Sequence, residues 1–311
     1  MGDAFRVACV TGGAGFIGSH LVRALLARGL DVKVLDNLSV GRRENLPKDA
    51  LLIEGDITDE AAARRALEGC DIVFHLAARV AIRSSFEFAF EDATTNVAGT
   101  ARILRAVEDV KTPRKVIVAS SMAVYADANE STPIGEDHPA APISPYGVTK
   151  LAVERLTHLM CDRIGIPSVA LRLFNTFGPG QALSPYVGVV TIFINALSRG
   201  ERPTIFGDGE QRRDFVHVED VARAFVNAME SPVVRGTYNI GSGHGLSVNE
   251  IFSAIQRALG TDIEPRRADA VAGEMRFSVA DIARARRDLS YRPLRDFHDS
   301  ILDVVSEIAS R

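Results

Sequence analysis

Three side chains in the middle of the sequence can together remove and return a proton. Tyr146 and Lys150 stand four residues apart in a segment with helical apolar spacing, so they share one helix face. A free phenol has a pKa of about 10 and is a poor base at neutral pH, but a nearby ammonium favours the phenolate. Ser121, at the end of an apolar run, can hydrogen-bond the oxygen whose proton Tyr146 removes. Because a lone Tyr-x-x-x-Lys pair is common by chance, its interpretation depends on what the rest of the chain places beside it.

The chain upstream of this set has the pattern of a dinucleotide site. Residues 7–20 read V-A-C-V-T-G-G-A-G-F-I-G-S-H, which is an apolar run typical of a buried strand, then three glycines, then helical apolar periodicity. Gly12 permits a tight turn, Gly15 lets backbone N–H groups approach a pyrophosphate, and Gly18 lets helix and strand pack closely. The helix N-terminus then offers unpaired N–H groups and a positive dipole end to the anion.

An acid at the tip of the second apolar run favours one dinucleotide over the other. Asp36 lies 18 residues beyond Gly18, where a carboxylate can accept both hydroxyls of an adenosine ribose and repel a 2′-phosphate. NAD is therefore favoured over NADP; the alternative is a turn residue, because Asp-Asn also favours turns. Asp56 follows the third run and can accept from the adenine amino group. His75 ends the fourth run, and without an acid nearby we interpret it as a packed structural residue.

These elements predict an α/β fold with a doubly wound parallel sheet of the Rossmann type. Strands alternate with helices through residues 7–121, and the candidate residues fall at the carboxyl ends of strands, where such sheets bind ligands. We expect an NAD-binding domain over residues 1–175, joined by part of 214–241. Residues 176–311 are expected to form mainly a smaller mixed α/β domain that binds substrate.

Composition narrows the class of protein further. With 311 residues, 46% hydrophobic content and a net charge of −4, the chain can bury a large core and gives no electrostatic reason to expect nucleic acid or an acidic membrane. Three distant cysteines fit a reducing compartment rather than a disulfide framework. Residues 1–6 run directly into the first strand, and no apolar run approaches membrane-spanning length. We therefore expect a cytoplasmic protein without a membrane or metal partner.

The motifs together resemble the extended short-chain dehydrogenase/reductase superfamily over essentially the whole chain. The matching motifs are G-x-x-G-x-x-G, Asp36-Asn37, Asp56-Ile57, His75-Leu76-Ala77-Ala78, Asn96-Val97-Ala98-Gly99-Thr100, and the set Ser121, Tyr146 and Lys150. Within it, the chain is most similar to the NAD-dependent 4-epimerases of UDP-glucose/UDP-galactose and of UDP-N-acetylglucosamine. This resemblance implies a tightly held NAD that takes a hydride from C4 of the sugar, a 4-keto intermediate that rotates about its diphosphate link, and return of the hydride to the opposite face.

The resemblance also implies which residues form the site, with Ser121, Tyr146 and Lys150 as the catalytic set. The residues expected to contact NAD are Gly12, Gly15, Phe16, Ile17, Gly18, Asp36, Asn37, Ser39, Gly41, Asp56, Ile57, Leu76, Ala77, Ala78, Arg79, Thr95, Ala119, Tyr146, Lys150 and Phe174. Those expected to contact the UDP-sugar are Arg83, Ser121, Met122, Tyr146, Asn175, Val189, Thr204, Phe206, Arg213, Arg276 and Ser278.

Four of these residues have individual roles implied by the resemblance. Phe174 is expected to lie against the nicotinamide, and Asn175 to bind the nucleotide-sugar diphosphate. Phe206 is expected to pack on the uracil, although a plain core role is the alternative. Arg213 is expected on the diphosphate, where a guanidinium fork suits phosphate oxygens, with Arg212 as the alternative contact.

The last part of the sequence departs from the epimerase pattern. Val271 stands where those enzymes usually carry an Arg that binds the diphosphate, so Arg276, or else Arg266 or Arg267, is expected to supply that charge. Ser278 matches the position where a bulky Tyr in some relatives blocks N-acetylated sugars. A small Ser makes room there, so UDP-N-acetylglucosamine and its galacto epimer are plausible substrates.

Related activities remain alternatives. Nucleotide-sugar 4,6-dehydratases and UDP-glucuronate decarboxylases add an acid just after the active-site hydroxyl residue, whereas Met122-Ala123 follows Ser121 here and neither can transfer a proton. A UDP-glucuronate 4-epimerase is not excluded by any residue. A single-direction reductase would need free exchange of NADPH, which Asp36 disfavours. A non-catalytic NAD-sensing regulator on the same fold stays open, although such proteins typically lose the Tyr or Lys.

The resemblance finally implies a homodimer. Helices around residues 95–107 and 146–161 carry apolar faces that can pair across a two-fold axis, as they do in relatives.

Overall fold

The computed structural model describes residues 4–80, 84–126, 132–181, 188–270 and 276–309. The strands are β1 Val7–Thr11, β2 Asp31–Asp36, β3 Leu51–Glu54, β4 Ile72–His75, β5 Lys115–Ser121, β6 Ser168–Leu173, β7 Asn175–Phe177, β8 Thr204–Phe206, β9 Arg212–His217, β10 Arg235–Ile240, β11 Gly245–Ser247, β12 Arg266–Ala268 and β13 Phe277–Ser278. The α-helices are α1 Phe16–Leu26, α2 Glu60–Leu67, α3 Ala89–Asp92, α4 Gly99–Val110, α5 Pro145–Ile164, α6 Val189–Ser198, α7 Val218–Glu230, α8 Val248–Leu259, α9 Ala283–Leu289 and α10 Phe297–Ala309.

Seven of these strands form one parallel sheet, in the order β3-β2-β1-β4-β5-β6-β10. The inner strands are almost continuously apolar because helices cover both faces. Helices α1 and α7 pack together on one face, and α2, α4 and α5 lie on the other. The predicted doubly wound Rossmann-type sheet is confirmed.

A smaller group of elements has its own core. Strand β9 pairs with β7, β11 and β13, and β8 pairs with β12. Phenylalanines from this sheet and from α6, α8 and α10 fill the space between them, including Phe177, Phe193, Phe215, Phe252 and Phe297.

Segments from the second half of the chain also belong to the large sheet and its core. Helix α7 and strand β10 belong to its layers, and Leu289 of α9 and Tyr291 pack into its core as well. We therefore propose that the NAD-binding part also includes residues 279–291, with the substrate-binding part built mainly from the remainder of 176–311.

Helix α5 begins and ends on clear local signals. Ser144 accepts a hydrogen bond from the Gly147 N–H through its side chain at 3.1 Å, and Pro145 occupies the first helical position. The helix ends at Gly165, whose φ of 70° suits a residue without a Cβ. These caps fix the bounds of α5, which packs against β5 and the turn after it. None of the helices in the described segments is both long and apolar enough to span a bilayer.

Candidate active site

The three proton-handling side chains meet at the carboxyl end of β5. Ser121 is the last residue of that strand, and Tyr146 and Lys150 project from the first turns of α5. The Lys150 Nζ lies 6.0 Å from the centroid of the Tyr146 ring and donates a hydrogen bond to the Ala119 carbonyl at 3.0 Å. Tyr146 and Lys150 are both buried, while Ser121 is partly exposed.

Burial controls the acid–base properties of this set. It raises the pKa of Tyr146 well above the ordinary phenol value; a side-chain hydrogen bond with Ser121 opposes the rise and the charge of Asp92 adds to it. Burial also lowers the pKa of Lys150 to about 8, against the opposing charge of Glu154. The site therefore favours neutral Tyr146, and positive charge close to the phenol is what brings it toward a working pKa.

His75 is held as a neutral structural residue. Its Nδ1 lies 2.7 Å from the Thr11 hydroxyl and its Nε2 2.9 Å from the Thr100 hydroxyl. Burial, with a smaller contribution from Lys150, lowers the pKa of His75 to about 3. Its partners are therefore two hydroxyls that link β1, β4 and α4, in agreement with the interpretation from sequence.

The glycine turn lies against the end of β4. Gly12 has a φ of 70°, and a Cβ on it would come within 2.7 Å of the Ala77 nitrogen, so no side chain fits between the turn and residues 76–78. A Cβ on Gly18 would clash with the Gly12 carbonyl oxygen and lie 2.7 Å from the Gly13 Cα. Helix α1 starts after Gly15 without a side-chain cap, so the first N–H groups of the helix, at Phe16 and Ile17, are available to an anion.

Asp36 is tied to this turn. Its Oδ2 accepts from the Ala14 N–H and its Oδ1 from the Leu38 N–H, both at 2.9 Å, and the residue is 8% exposed. Gly41 lies equally close to the turn, because a Cβ there would come within 2.8 Å of the Ala14 carbonyl carbon. The carboxylate thus joins the tip of β2 to the loop that is expected to hold the pyrophosphate.

Asn37 and Asp56 form a second polar group beside it. The Asn37 Nδ2 donates to Asp56 at 2.7 Å, and the Asn37 Oδ1 accepts from Ser39. Burial alone would raise the pKa of Asp56, but hydrogen bonds from Thr58 and Asn37 outweigh it and lower the pKa. Ile57, next to this group, is buried.

Arg79 and Asn96 connect the end of β4 to the catalytic helix. Asn96 accepts from the Arg79 N–H at 2.8 Å and donates to the Arg79 carbonyl and the Thr149 hydroxyl. The Arg79 Nε donates to buried Asp92 at 3.0 Å. Asn96 and Thr95 lie in a π-helical turn, Ala93–Ala98, that joins α3 to α4.

Two predicted residues follow β6: Phe174, expected at the nicotinamide, and Asn175, expected at the diphosphate. Phe174 is buried, and the Asn175 Nδ2 donates to the Asp214 carbonyl at 3.1 Å. Met122 and Val189 are partly exposed, at the start of the turn after β5 and of α6. Arg83 lies outside the described residues.

The remaining predicted substrate residues lie on β8, β9 and β13, except Arg276, which directly precedes β13. Phe206 is 39% exposed beside Thr204, so its ring is accessible for stacking. Arg213 is partly buried, and its Nη1 donates to the Arg212 carbonyl. Arg276 makes two hydrogen bonds to Asp208, at 2.9 and 3.0 Å.

Ser278 occupies a closed position in β13. It is fully buried, and its Oγ has no hydrogen-bond partner among the described residues. It pairs in register with Arg213 of β9. Val271, by contrast, lies outside the described residues.

Comparison with known proteins identifies the group to which this site belongs. The model of the NAD dependent epimerase/dehydratase family matches residues 8–241. The chain belongs to this family. The resemblance to the extended short-chain dehydrogenase/reductases and the expectation of NAD as cofactor are thereby confirmed.

Similar proteins are known as enzymes of UDP-sugars. A putative UDP-glucose 4-epimerase of Methanocaldococcus jannaschii is 37% identical, with 96% of each chain covered. The UDP-glucose 4-epimerase of Thermotoga maritima, solved with UDP-glucose, is 36% identical with a TM-score of 0.93, covering 98% of this chain and 99% of that one. The UDP-N-acetylglucosamine 4-epimerase of Methanobrevibacter ruminantium, solved with UDP-N-acetylmuramic acid, is 34% identical with a TM-score of 0.93 over 99% of both.

One further solved relative differs in its sugar. The UDP-glucuronic acid 4-epimerase of Bacillus cereus is 31% identical with a TM-score of 0.89, covering 98% of this chain and 99% of that one. Overall likeness therefore does not select the sugar, and the choice depends on individual side chains.

Two buried residues beside the catalytic set were missed by sequence reasoning. Glu154 follows Lys150 by four positions on the same face of α5, and it forms an ion pair with Arg172 of β6. The sequence carried a signal for both residues. Arg172 is a lone charge within the apolar run 169–173, and Glu154 lies on the buried face of its helix, and buried charges need a partner.

Proposed function

We propose that this protein is an NAD-dependent 4-epimerase of a UDP-hexose. The observation that carries the proposal is the set of Ser121, Tyr146 and Lys150 at one strand end, followed by Met122 and Ala123 rather than by an acid. Dehydration or decarboxylation needs a further acid–base group at that point. An epimerisation needs only a group that takes the C4 hydroxyl proton and gives it back.

The residues around the glycine turn are suited to hold NAD. The uncapped N-terminus of α1, the tight fit of Gly12 on the end of β4 and the carboxylate of Asp36 provide for a pyrophosphate and an adenosine ribose. When bound, NAD supplies the acceptor that takes a hydride from C4 and returns it.

The chain's own residues manage the proton and the geometry of the sugar. Tyr146 accepts the proton of the C4 hydroxyl and later returns it to the same oxygen. Ser121 hydrogen-bonds that oxygen, and Lys150, fixed by the Ala119 carbonyl, places a positive charge beside the phenol. Because rotation of the keto sugar presents the opposite face of C4 to the same residues, no second acid is required.

Binding of the nucleotide is assigned to the smaller part of the chain. The exposed ring of Phe206 suits stacking on uracil, and Arg213 with Arg276 suits the diphosphate. Arg276 is already aligned by its two bonds to Asp208, so it can present its guanidinium without a large loss of rotamer freedom.

The test is turnover with three substrates. UDP-glucose, UDP-N-acetylglucosamine and UDP-glucuronate are incubated separately with the protein and NAD, and the products are separated. Formation of the galacto epimer of at least one supports the proposal, while no epimer of any of them, or loss of water or CO₂ instead, contradicts it. Tyr146→Phe serves as the control: it is expected to abolish turnover and to leave NAD bound, and loss of both would assign Tyr146 to binding or folding.

The size of the side chain at position 278 is proposed to set the range of sugars. Ser278→Tyr is expected to remove activity on UDP-N-acetylglucosamine more than activity on UDP-glucose, because a larger side chain takes the room of the N-acetyl group. Since Ser278 is fully buried, unfolding of the variant is checked first. An equal loss with both sugars in a folded variant would assign the position to β-sheet packing alone.

We also propose that the chain forms a homodimer. Val148 and Leu159 of α5 are 54% and 69% exposed, and Phe90 of α3 is 79% exposed. Such apolar side chains on neighbouring helices suit an isologous pairing of two copies. Sedimentation at micromolar concentration tests this, and Leu159→Glu is expected to produce monomers while Leu302→Glu, an equally apolar change on α10, is not.

A further inference from the structure

An ion pair lies directly behind the catalytic side chains. The Arg172 Nε and Nη2 donate to the two oxygens of Glu154, each at 2.8 Å, and the two side chains are 7% and 3% exposed. The guanidinium is enclosed further by the Tyr125 ring, whose centroid lies 4.7 Å from the Cζ. Removing two charges from water is costly, so a buried pair of this kind contributes little net stability. Its presence therefore suggests a role other than stabilising the fold.

The pair joins β6 to α5, and Ser120 connects it to β5, so it contacts both elements that carry the catalytic residues. Arg172 of β6 is the register partner of Ser120 on β5, and the Ser120 hydroxyl donates to the Glu154 carboxylate at 2.5 Å. Ser120 stands between Ala119, whose carbonyl holds Lys150, and Ser121. Glu154 therefore holds the end of β5 at Ser120, between the carbonyl that binds Lys150 and the catalytic Ser121.

Glu154 also shares a helix face with Lys150. Residues four apart on a helix have Cβ atoms about 5–6 Å from each other, which is close enough for a charge to act on its neighbour in a buried site. Both residues are buried, so water does not screen the interaction. The carboxylate thus acts on the ammonium one helical turn away, while Arg172 limits its strength.

We propose that Glu154 is a positioning residue for the catalytic set, which keeps Lys150 protonated and aligned, and that Arg172 sets the strength of this effect. The proposal rests on the proposed epimerase function for its kinetic readout. Glu154 is buried with Ser120 and Arg172 as hydrogen-bond partners, and it acts through Lys150.

The charged groups around Lys150 are consistent with this role. Burial lowers the pKa of Lys150 to about 8, and Glu154 is the group that opposes this change. From β4, His75 faces the ammonium but stays neutral, since its own pKa is held at about 3. Asp92 acts on the phenol of Tyr146.

The experiment compares pH profiles of kcat in the holoenzyme. Glu154→Gln removes the negative charge, so Lys150 loses its proton more easily and the alkaline limb is expected to move down by about one pH unit. At the wild-type midpoint this is a loss of about fivefold, and 1.5 units below it the loss is less than about twofold. Arg172→Met leaves Glu154 uncompensated and is expected to move the limb up. The double variant also lacks the carboxylate, so its limb is expected to lie between those of the two single variants and below the wild-type position.

A control variant and a second comparison separate the possible outcomes. Arg163→Met is the control, because Arg163 lies on the same helix as Glu154 but pairs at the surface with Glu108 of α4. This variant is expected to leave the limb in place. If Glu154→Gln does not fold, the opposite shift of Arg172→Met and its reversal in the double variant still decide the matter, since a buried pair can often be replaced together at little cost. A uniform loss of kcat at every pH, without shifts in opposite directions, overturns the proposal.

The proposal can also be tested without turnover. Lys150 is one of five lysines in the sequence, so its ¹³Cε resonance can be assigned by comparison with Lys150→Met and titrated directly. A midpoint that falls in Glu154→Gln supports the role even if none of the substrates is converted, in which case only the epimerase function is rejected. An unchanged midpoint rejects the role of Glu154 whether or not the enzyme is active.

Discussion

Asp36→Ala tests whether one carboxylate serves both the fold and the cofactor. The side chain accepts two backbone hydrogen bonds, from Ala14 in the glycine turn and from Leu38 in the loop after β2. Leu38 has a φ of 56°, a conformation that a residue with a side chain adopts at a cost. Removal of the carboxylate therefore frees a strained loop and leaves the N–H of fully buried Ala14 without its acceptor.

The expected magnitude follows from these two bonds. A hydrogen bond to a charged group contributes about 1.5–3 kcal/mol, and an unpaired buried donor costs a similar amount, so Asp36→Ala is expected to lower the free energy of unfolding of the apoprotein by about 3 kcal/mol. Asp36→Asn keeps one carbonyl acceptor and is expected to lose about half of that. The affinity for NAD is expected to fall in addition, by about two orders of magnitude in Kd, since the ribose loses a charged acceptor.

Two measurements keep the two roles apart. Urea unfolding of the apoprotein reports the structural role, and calorimetric titration of the folded variants with NAD and with NADP reports the cofactor role. Asp31→Ala, an exposed acid at the other end of the same strand, is the control and is expected to change neither quantity. An unchanged stability refutes the anchoring role, and an unchanged Kd for NAD in a destabilised variant would make Asp36 the turn residue of the alternative interpretation.

Three further outcomes are expected. Because burial keeps the pKa of His75 at about 3, below the 6.5 of the unfolded chain, its contribution to stability is present above pH 6.5 and is lost as the pH falls. In His75→Gln the decrease in unfolding free energy between pH 7 and pH 5 should be smaller than in the wild type by about 2 kcal/mol, as measured by urea titrations at both pH values. Gly18→Ala forces a Cβ onto the Gly12 carbonyl and should cost about 3 kcal/mol or more in thermal unfolding, together with loss of NAD binding. Arg276→Ala should raise KM for the UDP-sugar about tenfold with little change in kcat. Asp208→Ala keeps the guanidinium and removes the two bonds that align it, so it should have a smaller effect.

The sequence was sufficient for the large sheet and for the residues at its edge. Glycine spacing, apolar runs and the Tyr-x-x-x-Lys interval are local patterns, and the rule that parallel strands end at one edge brings Asp36, Ala77 and Ser121 to the same side. A local pattern does not show which segments far along the chain pack back against earlier ones. That Leu289 and Tyr291 rejoin the first core, and that Arg276 aligns on Asp208, depends on contacts between residues far apart in the chain.

The pKa values of Tyr146 and Lys150 could not be predicted from local sequence either, because they depend on burial in the folded chain. From sequence, Lys150 beside Tyr146 predicts a lowered phenol pKa, yet in the folded chain burial acts on both groups and opposes this, raising the pKa of Tyr146 and lowering that of Lys150 to about 8. A lysine that titrates so close to neutral pH can lose the charge on which the phenol depends. The carboxylate of Glu154, one helical turn from Lys150, opposes this loss of charge. Glu154 in turn needs Arg172 as a partner, because a lone charge in the interior is costly. A buried ion pair that would be a poor source of stability is therefore explained by the charge it maintains on its catalytic neighbour.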